Sequence, residues 1–233
     1  MVDLSAEMLE LWGRVGPTPP GRCRVLQFVS ATSGEGASTV AREFARVAAV
    51  HAGRPVWLVD MDLWAGAQAD AVGAAPQLYG PLGPETTGTP DGSAFFAVHP
   101  PSRGPDGKPW PAGRYLSAHA VGGRKLWVTR FRNDLVRPGQ SVEIVRDPAY
   151  WNALRRHAEL IVVDAPAADR SQAALVTAPL VDASVLVVAA ESGDARGPGV
   201  LRDALAAAGG RCLGLVFNRA KVQPPRFLQA LLA

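Results

Sequence analysis

Six short, largely apolar runs punctuate the chain: Val25–Val29, Pro55–Asp60, Lys125–Phe131, Leu160–Asp164, Ser184–Ala190 and Cys212–Phe217. Each is too short for a buried helix and rich in β-branched or aromatic residues, so the pattern predicts buried strands. Stretches with helical spacing lie between them. A run from Thr39 places Val40, Phe44, Val47 and Ala48 on one face and stops near Gly53. Asp147-Pro148 opens another helix with an N-cap residue and a first-turn proline, carrying Tyr150, Trp151, Leu154 and Arg155 toward His157. Residues 170–178 and Val200–Ala208 also read as helices, the latter stopped by Gly209. This alternation predicts an α/β fold whose mostly parallel sheet is flanked by helices on both faces.

The two ends and one internal stretch break the rhythm. Residues 4–12 predict a short helix with Leu4, Met8, Leu11 and Trp12 on one face, docked on the core. Gly13 to Gly21 is rich in proline and glycine, so 1–21 reads as an N-terminal helix and linker. From 66 to 123 prolines and glycines are dense, and the stretch is expected to be an irregular insertion in a single domain spanning 1–233. Phe95–Val98 and Tyr115–Val121 are its candidate short strands, and Phe227–Ala233 forms a short apolar tail. No internal repeat is present.

Composition adds bounds. Of 233 residues, 48% are hydrophobic and 19% charged, enough for a sizeable core. The net charge of +3 comes without a basic stripe or tail, so no nucleic-acid partner is expected. Cys23 and Cys212 stand far apart without a motif, the N-terminus lacks the pattern of a signal peptide, and the longest apolar run is far below a membrane span. The expectation is a cytoplasmic protein. His51, His99, His119 and His157 have no metal-ligand spacing.

The candidate chemistry lies where the first strand meets the first long helix, in Ser30-Ala-Thr-Ser-Gly-Glu-Gly-Ala-Ser-Thr39. Small residues and two glycines between a strand and a helix make a phosphate-cradling loop, in which successive backbone N–H groups converge on oxygens. Ser33, Gly34, Glu35, Gly36, Ala37, Ser38 and Thr39 are the expected nucleotide contacts. Where such a loop carries lysine, this chain has Ala37, while Ser38 and Thr39 keep their hydroxyls. A charge-assisted hydrogen bond contributes roughly 1.5–3 kcal/mol, so nucleotide affinity should fall about ten- to a hundredfold. Asp60, Asp62 and Asp164 close two predicted strands, giving hard oxygen ligands for Mg²⁺ together with Ser38. A dinucleotide fold is disfavoured, because Thr39 stands where a third glycine is needed.

With these motifs the chain resembles the deviant P-loop ATPases of the MinD/ParA group. Within that group it is most similar to the ATPase domain of bacterial tyrosine kinases of exopolysaccharide synthesis. The resemblance rests on the loop, on Val56-Trp-Leu-Val-Asp-Met-Asp-Leu63, on Leu160-Ile-Val-Val-Asp-Ala-Pro166 and on Cys212-Leu-Gly-Leu-Val-Phe-Asn-Arg219. It covers most of the chain outside 66–123. It implies a P-loop NTPase-like three-layer sandwich, ATP or ADP as ligand, and Mg²⁺ near Ser38, Asp60 and Asp164. It further implies Asp62 as a base, Asn218 near adenine, and a membrane polysaccharide export or chain-length protein as partner, with a homo-oligomer as a further option.

Three departures accompany it. The loop lysine is missing; the only tyrosines are Tyr79, Tyr115 and Tyr150, so there is no C-terminal tyrosine cluster; and the family's N-terminal oligomerisation motif is not readable around Glu7 to Arg14. The leading expectation is a degenerate kinase-like protein with weak or no ATP turnover. The alternative is an active ATPase or kinase that recruits an arginine, with Arg130, Arg132 and Arg137 as candidates. A positioning ATPase working on DNA or membrane is disfavoured by the lack of a basic patch.

Overall fold

The computed structural model describes residues 3–123, 125–191 and 196–220; the apolar tail at 227–233 lies outside them. After helix α1 (Ser5–Val15), strand β1 (Arg24–Val29) leads into α2 (Ala37–His51). Strand β2 (Val56–Asp60) leads into α3 (Ala67–Gly73) and the single turn α4 (Pro76–Tyr79). There follow β3 (Leu82–Thr87), β4 (Phe96–His99), β5 (Leu116–Val121), β6 (Leu126–Phe131) and β7 (Ser141–Ile144). The chain continues through α5 (Ala149–Arg155), β8 (Leu160–Asp164), α6 (Ala173–Thr177), β9 (Ala183–Ala189), α7 (Gly197–Ala207) and β10 (Cys212–Asn218).

Eight strands form one sheet in the order β10-β9-β1-β8-β2-β6-β5-β3. From β10 to β6 all neighbours are parallel, whereas β5 is antiparallel to both β6 and β3. The parallel strands are buried on both sides, which is why they read as unbroken apolar runs. Side chains alternate between the faces. Leu26, Phe28, Leu58 and Val162 meet Val40, Phe44, Val47 and Ala48 of α2. On the opposite face Val25, Trp57, Val59 and Ile161 meet Tyr150, Trp151 and Leu154 of α5, and Val29 and Leu186 meet Leu201 and Leu205 of α7. No helix among the described residues is long and apolar enough to cross a membrane.

Register positions the site. Phe28 and Asp60 both stand opposite Asp164, so β1, β8 and β2 end level and deliver their following residues to one edge.

The structure differs from the sequence pattern in several places, among them the unexpected strand β7. Helix α2 starts at Ala37 rather than Thr39, because Gly36 in the left-handed region (φ 92°) turns the chain directly into it. Helix α1 passes through Gly13 into the expected linker, since Val15 as well as Trp12 packs on the core. The stretch 66–123, expected to be irregular apart from short strands at Phe95–Val98 and Tyr115–Val121, carries those strands as β4 and β5 and also α3, α4 and β3. Two of its strands extend the main sheet, and β4 pairs with β7 in a separate hairpin-like layer. Strand β3 escapes notice because it is a polar edge strand whose register shifts between Leu82 and Glu85, at Gly83-Pro84.

Helix α1 is held by Met8, 3% exposed, while neighbouring Leu9 is 48% exposed. Met8→Ala is expected to destabilise the protein by about 2–5 kcal/mol, and Leu9→Ala to stay within about 0.5 kcal/mol, as read by urea unfolding. Equal small effects would mean that α1 is not part of the core.

Candidate functional site

The loop between β1 and α2 is shaped by contacts that leave its amides open. The buried Glu35 carboxylate accepts the Thr32 amide at 3.0 Å and the Ala189 amide at 3.3 Å. Ser33 donates its amide and hydroxyl to Asp169 at 2.9 and 2.8 Å, which helps hold the Asp169 carboxyl below the usual carboxylate range. Asn218, at the end of β10, donates its side-chain amide to the Glu35 carbonyl at 2.8 Å, and Arg219 donates to the Gly34 carbonyl at 2.8 Å. Gly36 has a left-handed φ of 92°, which strains any other residue, and a Cβ there would also displace the Asn218 amide nitrogen, at 2.1 Å. The first intrahelical bond of α2 runs from the Val40 amide to the Gly36 carbonyl. Among the described residues, no hydrogen bond uses the amides of Gly34 through Thr39. Six consecutive backbone donors at a helix N-terminus thus have no hydrogen-bond partner among the described residues.

The acidic residues occupy the ends of β2 and β8. Asp60 is buried, and its own amide donates to the Thr129 hydroxyl at 3.0 Å. Its two carboxylate oxygens accept the amides of Asp62 and Gln68, each at 3.0 Å. Asp164 accepts Gln68 Nε2 at 2.5 Å on one oxygen, and its other oxygen is buried without a partner among the described residues. Gln68 also donates to the Ser38 carbonyl at 2.9 Å and accepts Arg42 at 3.0 Å, which fixes the orientation of its amide. Burial pushes the Asp60 carboxyl well up, and the facing Asp164 carboxylate raises it further. Burial likewise pushes Asp164 up, against the Gln68 and Ser38 hydrogen-bond donors and the Arg42 charge, which hold it down. Two carboxylates this close and this buried cannot readily both ionise.

Asp62 lies nearer the surface. One of its oxygens pairs with Arg170 at 2.9 Å, and the other accepts the Ala65 amide at 3.2 Å. A cleft of about 300 Å³ is lined by Ser33, Gly34, Gly36, Ala37, Ser38 and Asp62, and also by Ser30, Pro166, Arg170 and Arg219. A second cavity of about 360 Å³ shares Asp62, Pro166 and Arg170 with it and extends past Trp64 to Glu143, Ile144 and Gln172.

The expected site residues therefore fall into groups. Ser33, Gly34, Gly36, Ala37, Ser38 and Asp62 share the cleft, while Glu35 and Asn218 brace the loop from behind. Asp60 and Asp164 are buried near Ser38, linked to one another through Gln68, and Thr39 is exposed on the first turn of α2 outside the cleft. Arg130, Arg132 and Arg137 are absent from the cleft lining. Arg130 pairs with Asp70, Arg132 with Glu85 and Asp134, and Arg137 lies over Trp110. Sequence reasoning missed Gln68, Asp169, Arg170 and Arg219. Only Arg219 carried a signal, as the neighbour of Asn218.

No family model matches the chain, and no curated protein matches its sequence. Solved structures match its fold. The kinase domain of VpsO is 18% identical with a TM-score of 0.58, over 93% of this chain and 91% of that one. The kinase domain of the Escherichia coli tyrosine kinase ETK is 18% identical with a TM-score of 0.51, over 87% and 71%. Cobyrinic acid a,c-diamide synthase from Mycobacterium smegmatis, with bound ATP analog and magnesium, is 17% identical with a TM-score of 0.51, over 90% and 80%. The chain has the P-loop NTPase-like fold of bacterial tyrosine kinase domains and of related P-loop proteins.

The buried acid pair generates a pH dependence. Asp60 and Asp164 bind protons more tightly in the folded protein than in the unfolded chain, so stability falls as pH rises above the ordinary carboxylate value of 3.8. In Mg²⁺-free buffer the melting temperature is expected to drop between about pH 5 and pH 8 and Asp164→Asn to flatten that drop. A flat wild-type profile that the substitution leaves unchanged would contradict the electrostatics described above.

Proposed function

We propose that this chain is a kinase-like P-loop protein of bacterial exopolysaccharide synthesis that binds Mg·nucleotide weakly and turns it over slowly or not at all. One observation carries this reading: Gly34, Gly36, Ala37 and Ser38, whose amides are unengaged among the described residues, line a cleft whose lysine position is filled by Ala37, 6% exposed. The amides and the positive end of α2 accept phosphate oxygens through short, directional bonds. Without the loop lysine among them, and with the cleft's two arginines already bound to other groups, charge spreading over a transferring phosphoryl group has less to stabilise it.

The donor set fits a divalent ion. The buried, unpartnered oxygen of Asp164 and the Ser38 hydroxyl are the two first ligands we assign, with phosphate and water completing the shell. A divalent cation held there would offset phosphate charge and relieve the repulsion between Asp60 and Asp164. Asp60 is a positioning residue, since both its oxygens hold the amides of Asp62 and Gln68 in place. Asp62 is the candidate base, restrained by Arg170. The resemblance of the motifs supports a membrane polysaccharide export or chain-length protein as the partner through which the chain acts, and it leaves room for self-association.

Calorimetric titration with Mg·ATP tests the reading. Ala37→Lys is expected to tighten binding about ten- to a hundredfold, because the amide cradle and hydroxyls are already in place. A low-micromolar dissociation constant for the unaltered protein would defeat the weak-site reading, and no gain from the substitution would mean that the loop does not hold phosphate.

A further inference from the structure

Two cations reach the loop cleft, and they are held differently. Arg219 has a positive φ of 59° and donates to the Gly34 carbonyl, so its guanidinium is tied to the loop backbone. Arg170, in the turn after β8, is half exposed; among the described residues its one ion pair is with Asp62, itself only 20% exposed, and the Asp169 carboxylate beside it also feels its charge. The Arg170–Asp62 pair stands where the loop cleft meets the second cavity, since both side chains line both spaces.

We infer that Arg170 is the phosphate-binding cation of this site, held in reserve by Asp62 and released to an anion that enters the loop cleft. The inference rests on the nucleotide reading given above. An ion pair whose cation is half exposed is easily exchanged, because the guanidinium keeps much of its hydration. A phosphate seated on the amides of residues 34–39 offers the guanidinium more charge and a bidentate match. Arg170 then leaves Asp62, and the exchange has two consequences. Part of the phosphate contact is offset by the ion pair given up, which keeps affinity low. The carboxylate of Asp62 also loses its counter-charge only when the cleft is filled, so it faces the second cavity as a free acceptor in the occupied state alone. Occupancy of the first space thereby alters the second, which contains Trp64 and Glu143.

The test is titration of the full chain with Mg·ADP across three variants. Asp62→Asn frees Arg170 from its partner and is expected to tighten binding several-fold. Adding Arg170→Ala to Asp62→Asn is expected to lose about ten- to a hundredfold, the worth of a charge-assisted contact. Removing Asp62 first matters, because Arg170→Ala alone would leave an unpaired carboxylate that repels phosphate. Equal affinity of Asp62→Asn and the double variant would overturn the inference and reduce Arg170 to a surface ion pair. Ala37→Lys separates this failure from that of the underlying reading. If it binds Mg·ADP while the Arg170 variants show no difference, the phosphate loop stands and the reserve cation falls. If it too fails to bind, both fall.

Discussion

A close approach between the first and last strands of the parallel sheet governs the site. Gly36 turns the chain through a left-handed conformation while the Asn218 amide occupies the space a side chain would need. That contact anchors the end of β10 to the start of α2, and Glu35 adds a second tie to the end of β9. The loop is thereby shaped from outside, by side chains reaching in from the C-terminal ends of neighbouring strands. Its own amides are left with nothing to do inside the protein. An open sheet places such a loop at the carboxyl edge, where ligands bind in folds of this kind.

The same edge gathers negative charge without an evident purpose in the isolated chain. Asp60 and Asp164 face each other across adjacent strands and are both buried, which raises both carboxyls. A structure that needed only stability would gain by replacing one of them, since a buried like-charge pair destabilises the fold at neutral pH. Their retention beside an open amide cradle is consistent with a cation-bearing anion as the missing partner. The missing lysine changes the balance, not the geometry. The loop keeps its unengaged amides, Asp60 and Asp164 stay buried at the adjacent strand ends, and the cations that line the cleft are arginines that already have other partners.

How much of this was legible in the sequence depends on where each signal originates. Strands such as Val25–Val29 and Leu160–Asp164 announce themselves because both of their faces are buried, and loop glycines announce a backbone requirement. The layer built by 66–123 does not. Its core is the meeting of Phe95, Phe96 and Tyr115 with Phe131, Tyr150 and Trp151, contacts between distant segments that leave no local period. Gln68 was hidden for the same reason, since it acts only because α3 returns to the ends of β2 and β8. Arg170 was read as part of a helix, and only the fold shows that the turn after β8 passes the phosphate loop. Asn218 carried a signal, but the group it touches is the Glu35 carbonyl of the loop backbone.

The account stands or falls on whether the unengaged amides hold phosphate. Two-dimensional amide NMR during addition of Mg·ADP reads this directly, residue by residue. The account requires progressive shifts at Gly34, Gly36, Ser38 and Thr39, with the largest changes clustered on that loop. Saturable shifts elsewhere, with those four amides unmoved, would show that the cradle is an architectural remnant and that the nucleotide reading is wrong.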